Sequence, residues 1–77
     1  MFRTIHHFAY PNDPHSYLEA TTYSEASHEA AARAEGKRAL SLHAEVDGLN
    51  YVDGWTDEVP GVSEQRAPVF RRRAVTA

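Results

Sequence analysis

The chain has 77 residues, of which 42% are hydrophobic and 25% charged, and eleven acids against eight bases give a formal net charge of −3. This composition excludes a disordered or collagen-like chain, and the length predicts a single domain over residues 1–77 with a thin core. The charge is too small to indicate wholesale binding of nucleic acid or imitation of it.

The chain contains no cysteine and no apolar run near the roughly 20 residues that a membrane span requires. Small secreted domains usually depend on disulfides for stability. The sequence therefore favours a reducing cytoplasm, and no lipidation motif suggests a membrane anchor.

The first two predicted elements are strands that form a hairpin. Residues 2–10 alternate between two faces, which places His6 and His7 on opposite sides of a sheet. The "PNDP" at 11–14 predicts a longer loop, because proline lacks a backbone donor and Asn-Asp favours a turn. Residues 15–22 then resume in extended form.

An alanine-rich helix is predicted from "SEASHEAAARAEG", residues 24–36. Thr22 and Glu25 fit a capping box, and Ser24 is the competing cap. Gly36 is placed to end the helix in a left-handed conformation. Alanines recur every fourth residue at Ala26, Ala30 and Ala34. Such a small-residue stripe allows a helix to lie close against a sheet.

The remaining elements are predicted to be strands. Residues 40–46 and 49–52 suggest a second hairpin around the Asp47-Gly48 turn signal, a loop follows around Trp55, and residues 67–75 suggest a last strand. The predicted fold class is α+β, an antiparallel β-sheet of four to five strands with one α-helix packed on a face, in the order β-β-α-β-β-β.

No motif indicates catalysis, a cofactor or a metal site. The four glycines are scattered rather than grouped in a phosphate loop, and no nucleophile motif is present. A hairpin would bring His15 near His6 or His7, with Asp13 nearby, but there is no HExxH and no cysteine pair. We therefore expect a non-enzymatic protein with polar surface histidines and no cofactor.

Two clusters are candidates for partner binding. Trp55 lies among acids, an arrangement suited to an interface anchor that meets a basic surface, although the same side chain would also suit a plug at one end of a thin core. The arginines at 71–73 suit phosphate or an acidic surface, or equally an edge strand protected from aggregation. The predicted partner-binding residues are Asp53, Trp55, Asp57, Glu58, Arg71 and Arg73.

The segment "YLEATTYSEASHEAAARAEG", residues 17–36, resembles small phage-encoded type I anti-CRISPR proteins. The resemblance implies an inhibitor that binds the host type I CRISPR-Cas surveillance complex and blocks recognition of target DNA by occlusion. In that role, acids such as Asp53, Asp57, Glu58 and Glu64 would pair with basic residues of a DNA channel.

Three alternatives stay open at this point. The first is a small nucleic-acid-binding module that uses Arg71–Arg73 together with Lys37 and Arg38. The second is a histidine-based metal protein. The third is a subunit that dimerises through an exposed sheet edge, so the sequence leaves both a monomer and a dimer possible.

Overall fold

Four antiparallel strands and one helix make up the described part of the chain, residues 1–61 and 67–75 of a computed structural model. In chain order the elements are β1 (Phe2–Tyr10), β2 (Asp13–Ser24), α1 (Glu29–Leu40), a 3-10 turn (Ala44–Val46), β3 (Asn50–Glu58) and β4 (Val69–Ala74). The predicted α+β class, an antiparallel sheet with one helix on a face, is confirmed, with four strands in the sheet.

The sheet is built around the β1–β2 hairpin, which occupies its centre in the order β3-β1-β2-β4. β1 and β2 pair from Phe2 opposite Ser24 to Tyr10 opposite Asp13, with an irregularity at Ala9/Tyr10. Because Asp13 already belongs to β2, only two residues connect the strands. The hairpin is therefore tighter than the predicted "PNDP" loop.

Helix α1 covers one face of the sheet and creates the core. The alternation of β1 directs Thr4, His6 and Phe8 beneath the helix, and all three are buried. The other buried residues are Leu18, Ala20, Thr22 and Ser24 of β2, Ala32, Gly36 and Leu40 of α1, and Val46. Several of these side chains are small or polar, so the helix lies close to the strands but the core contains few large apolar groups.

The helix begins and ends later than the sequence predicts. Strand pairing with β1 carries β2 through Ser24, so the predicted caps Thr22 and Ser24 lie in the strand. His28 is the N-cap, and its Nδ1 accepts a hydrogen bond from the backbone N–H of Ala31 at 3.2 Å. The buried stripe is therefore Ala32, Gly36 and Leu40 rather than the alanines at 26, 30 and 34.

Gly36 does not end the helix, which was the predicted role. It lies buried within α1, where a side chain would collide with Thr22 and His6 of the strands below. Among the described residues, Gly48 is the only one with a positive φ, at 76°. Close packing against the sheet, rather than a left-handed turn, explains the glycine at position 36.

The predicted strand over residues 40–46 is also wrong. Leu40 is the last residue of α1 and is fully buried, whereas Leu42 is 87% exposed, so the apparent two-residue alternation there is not that of a strand. The chain turns through the 3-10 segment Ala44–Val46 and through Gly48 before it enters β3. From the predicted second hairpin, the turn signal at Asp47-Gly48 is confirmed, and residues 50–52 of the predicted return strand belong to β3.

Strand β3 runs through the region predicted to be a loop around Trp55. It pairs with β1 from Asn50 to Glu58, with an irregularity between His7 and Phe8. Gly54 makes this possible, because a Cβ there would lie 2.5 Å from the hydroxyl of Tyr51. The glycine thus marks a position in the strand where a side chain passes over the backbone.

Candidate binding face of the sheet

The face of the sheet opposite the helix has no covering element among residues 1–61 and 67–75. We call it the open face. Strand alternation and pairing assign to it Arg3, Ile5, His7, Tyr17, Glu19, Thr21, Tyr23, Asp53, Trp55, Asp57, Val69, Arg71 and Arg73. The open face contains members of all four strands.

The strand register aligns these side chains in rows that cross the sheet from β3 to β4. The apolar row contains Trp55, Ile5, Thr21 and Val69. The charged row beside it contains Asp53, His7, Glu19 and Arg71. Cross-strand neighbours of this kind are about 4.5–5.5 Å apart at Cβ, so each row forms a continuous surface.

Trp55 is the most prominent apolar group of the open face. Its side chain is 46% exposed, and its ring meets His7 edge-on with centroids 4.7 Å apart. The His7 ring also contacts Tyr17 at 4.5 Å, so three aromatic rings form a chain over β3, β1 and β2. Trp55 therefore does not plug the core beneath the helix.

Two ion pairs tie neighbouring strands together on this face. Arg3 donates two hydrogen bonds to Asp57, at 2.6 and 3.2 Å, and this pairing raises the pKa of Arg3. Arg73 donates to both carboxylate oxygens of Glu19, at 3.2 and 3.4 Å. These exposed pairs hold side chains in place but contribute little to stability, because water screens them.

The charges of the open face sum to zero, but acids and bases are unevenly distributed between its two edges. Three arginines balance the carboxylates Glu19, Asp53 and Asp57. Asp53 has only His7 nearby, at 3.8 Å from Nδ1, and in the described residues no carboxylate lies within 4.0 Å of Arg71. The face therefore has an unneutralised acid on its β3 edge and an unneutralised base on its β4 edge.

The structure distributes the predicted partner-binding residues over both edges. Asp53, Trp55 and Asp57 lie together on β3, and Arg71 and Arg73 lie on β4 with two strands between the groups. Glu58 pairs with Phe2 in register and belongs to the other face. Glu64 lies outside the described residues. Whether these side chains bind a partner stays a prediction.

Arg72 separates from its two neighbours. Its guanidinium lies 4.1 Å from the ring centre of Tyr10 and donates a hydrogen bond of 2.7 Å to Asp13. The backbone N–H of His15 and this arginine lower the pKa of Asp13. The arginine run is therefore divided between the two sides of β4, and it does not form one basic stripe.

The sequence patterns do not identify Ile5, His7, Tyr17 and Val69 as binding residues. The two-residue alternation of β1 and β2 already grouped Ile5 with His7 and separated them from His6. The alternation does not indicate which of the two faces the helix covers. That choice depends on contacts between α1 and the sheet, which no local pattern contains.

Beneath the helix, the fully buried His6 forms a polar cluster with Thr22 and Tyr51. Its Nε2 is 2.8 Å from Thr22 Oγ1 and its Nδ1 is 3.0 Å from Tyr51 Oη, so both ring nitrogens have partners. Burial, with the positive charges of Arg33 and Lys37, lowers the pKa of His6 from 6.5 to about 4. The cluster is closed to solvent at His6, and its role is to join helix, hairpin and β3.

The other histidines have separate positions. His28 caps the helix, His43 lies 5.5 Å from the ring of Phe70, and His15 donates its backbone N–H to Asp13. Within 1–61 and 67–75 no three His, Asp or Glu side chains are grouped in a way that would hold a metal ion. His6 and His7 face opposite sides of the sheet, as their adjacency predicts.

Comparison with protein-family models, curated proteins and solved structures finds no match to this chain. In the described part of the chain, no helix combines the length and the apolar character needed to cross a membrane. Only the residues of the open face itself therefore indicate what it binds.

Proposed function

We propose that this chain is a non-enzymatic binding protein that uses the open face of its sheet to contact another protein. The observation that carries the proposal is the position of Trp55, which is 46% exposed at the centre of β3 on a face without a covering element in the described residues. Tryptophan is the residue most enriched among the side chains that dominate interface energetics.

The surroundings of Trp55 support a protein partner. The Trp55 ring contacts His7, which in turn contacts Tyr17. These contacts restrict the side chain of Trp55 before binding, so little side-chain freedom is lost when a partner binds. Arginine and tyrosine are also enriched in protein interfaces, and both occur on this face. On this face an apolar row that crosses the sheet is bordered by charged side chains, and protein interfaces commonly combine apolar and charged groups.

The charge balance favours protein over nucleic acid as the partner. Three arginines are matched by three carboxylates on the open face, and two of those arginines already bind acids of their own chain. A phosphate backbone is bound through an excess of positive charge, and its affinity falls steeply with salt. We expect no appreciable affinity of the isolated chain for free DNA, which a binding titration at about 50 and 200 mM salt tests.

The specific partner implied by the resemblance to anti-CRISPR proteins is a type I CRISPR surveillance complex. In this form of the proposal the open face covers part of the surface that holds target DNA. Asp53 would meet a basic residue of that surface, and Arg71 an acid at its rim. Inhibition by occlusion needs no catalytic group in the chain.

The test is a plaquing assay in bacteria whose type I system targets the infecting phage. Expression of the chain is expected to restore plaques by at least tenfold, and expression of Trp55→Ala at the same level is expected to restore far fewer. Val52→Ala is the matched control, because Val52 is 59% exposed on the same strand but lies at its irregularity. Absence of any effect of the wild-type chain would refute the CRISPR form of the proposal.

A further inference from the structure

We propose that the open face also binds a second copy of the chain, and that the two sheets stack face to face about a twofold axis parallel to the strands. The order of charges across the sheet favours this arrangement. An acid without a strong partner, Asp53, lies on the β3 edge. On the β4 edge lies Arg71, which has no carboxylate within 4.0 Å in the described residues because its cross-strand neighbour Glu19 pairs with Arg73. Asp53 and Arg71 both belong to the charged row.

The twofold axis runs parallel to the strands, between β1 and β2. It places each row of one copy over the same row of the second copy, in reverse order. The β3 edge of one copy then covers the β4 edge of the other. In the charged row, Asp53 meets Arg71 of the second copy, and His7 meets Glu19 of the second copy. Each contact occurs twice because of the symmetry.

The same operation matches the neighbouring rows. In the apolar row, Trp55 covers Val69 of the second copy, and these are two of the most exposed large hydrophobic groups on the sheet. In the next row, Arg3 covers Tyr23 of the second copy, a cation over an aromatic ring. A shallow depression of about 350 Å³, lined by residues that include Ile5, Thr21 and Val69, is placed to receive the indole.

The alternative face-to-face arrangement has its axis across the strands. That axis would stack β3 on β3 and β4 on β4, so it would bring the two β3 edges with Asp53 and Asp57 together and the two β4 edges with Arg71 and Arg73 together. Juxtaposed like charges disfavour such a complex by up to several kcal/mol. The order of charges therefore selects the axis parallel to the strands, and the natural twist of the sheets rotates the stack by about 30°.

The area of the face predicts a weak dimer. Four strands about 4.8 Å apart and about 30 Å long offer roughly 600 Å² from each copy. The total of about 1,200 Å² is at the lower limit of specific interfaces, and we expect a dissociation constant on the order of 10–100 µM. Such a dimer covers Trp55 in the free protein and leaves a tighter-binding protein able to displace the second copy.

The experiment measures the mass of the purified chain by sedimentation equilibrium between about 5 µM and 1 mM, with folding checked by circular dichroism. The wild-type chain is expected to become dimeric over this range. Asp53→Arg alone and Arg71→Asp alone are each expected to raise the dissociation constant at least tenfold, because each places two like-charged pairs in the dimer. Glu45→Arg, on the 3-10 turn, is the control and leaves the dissociation constant unchanged.

Mixing the two single variants provides the decisive measurement. A heterodimer of Asp53→Arg with Arg71→Asp pairs opposite charges at both edges, so an equimolar mixture is expected to regain wild-type affinity. Both variants still carry a net negative charge, so general attraction does not account for a heterodimer. A change within one chain does not explain it either, since positions 53 and 71 are separated by two strands.

Three results would overturn the dimer: a wild-type chain that stays monomeric at about 1 mM, single variants that associate as the wild type does, or a mixture that stays monomeric. The measurement uses the purified chain alone. A negative result therefore removes the dimer without removing the proposed binding to another protein, which the plaquing assay examines separately.

Discussion

The backbone of Gly36 in α1 lies against the imidazole of His6 in β1, so close that a Cβ at position 36 would be 2.8 Å from His6 Nε2 and would overlap the hydroxyl of Thr22. Helix and sheet meet here without an intervening side chain. The glycine thus permits the His6–Thr22 hydrogen bond of 2.8 Å to form beneath the helix. The packing of the only helix in the described residues depends on this contact.

Gly36→Ala is expected to lower the free energy of unfolding by about 1–3 kcal/mol, because the added methyl displaces Thr22 and His6. In an exposed helix the same change would stabilise by about 1 kcal/mol. Chemical denaturation measures the difference. Glu35→Ala, at the exposed neighbouring position, is the control and is expected to stay within about 0.5 kcal/mol of wild type. A more stable Gly36→Ala protein would contradict the close packing.

The free energy of unfolding is expected to fall as the pH decreases from about 6.5 to about 4. Burial lowers the pKa of His6 in the folded chain to about 4, whereas the unfolded chain takes up the proton near 6.5. Between these values the unfolded state binds more protons, so acid favours unfolding, and the loss reaches about 3 kcal/mol before it levels off below the folded pKa.

His6→Gln isolates this contribution from the carboxylates that titrate in the same range. The variant is expected to be less stable than wild type at neutral pH but to lose less stability on acidification to pH 4. His15→Gln is the matched control, because it makes the same substitution at an exposed histidine outside the His6 cluster. Parallel pH profiles for wild type and His6→Gln would show that His6 titrates normally.

Tyr51 and Gly54 are expected to be energetically coupled. Tyr51→Phe removes the hydroxyl that bonds His6 Nδ1 and is expected to cost about 1–3 kcal/mol. Gly54→Ala is expected to be destabilising because its Cβ would lie 2.5 Å from that hydroxyl, and less destabilising when position 51 is Phe. A double-mutant cycle by denaturation measures the coupling, and additive losses would disprove it.

Trp55→Ala is expected to weaken binding of the protein partner by about 2 kcal/mol or more, with a much smaller loss of stability. The indole is 46% exposed and contacts His7 on the open face, away from the core under the helix. Calorimetric binding and thermal unfolding of the same samples separate the two effects. A large loss of stability with unchanged affinity would assign Trp55 to structure instead of binding.

Alternation in the sequence was a sound guide for the hairpin. The predicted first strand, Phe2–Tyr10, has the observed bounds, and the last strand, Val69–Ala74, lies within its predicted range. Such strands are recognisable because side chains alternate every second residue along them. Over residues 40–46 the same alternation wrongly predicts a strand. Leu40 is the buried last residue of α1, and Leu42 lies in an exposed turn.

The roles predicted for Gly36 and Gly54 are both wrong, and for the same physical reason. Local propensity predicts a helix end at Gly36 and a loop at Gly54. Both instead admit another residue's side chain against the backbone: Thr22 and His6 at Gly36, and Tyr51 at Gly54. A neighbour distant in sequence determines this role, so no local pattern reveals it.

The sequence by itself determined the strand alternation, the opposite directions of His6 and His7, the small size of the core and the fold class. Only the tertiary structure decided which side of the sheet the helix covers, and with it that Trp55 faces outward and His6 inward. The same alternating pattern fits either choice, because a strand offers two equivalent faces until another element packs on one. The absence of a Cβ at Gly36 is what allows α1 to pack on the His6 side.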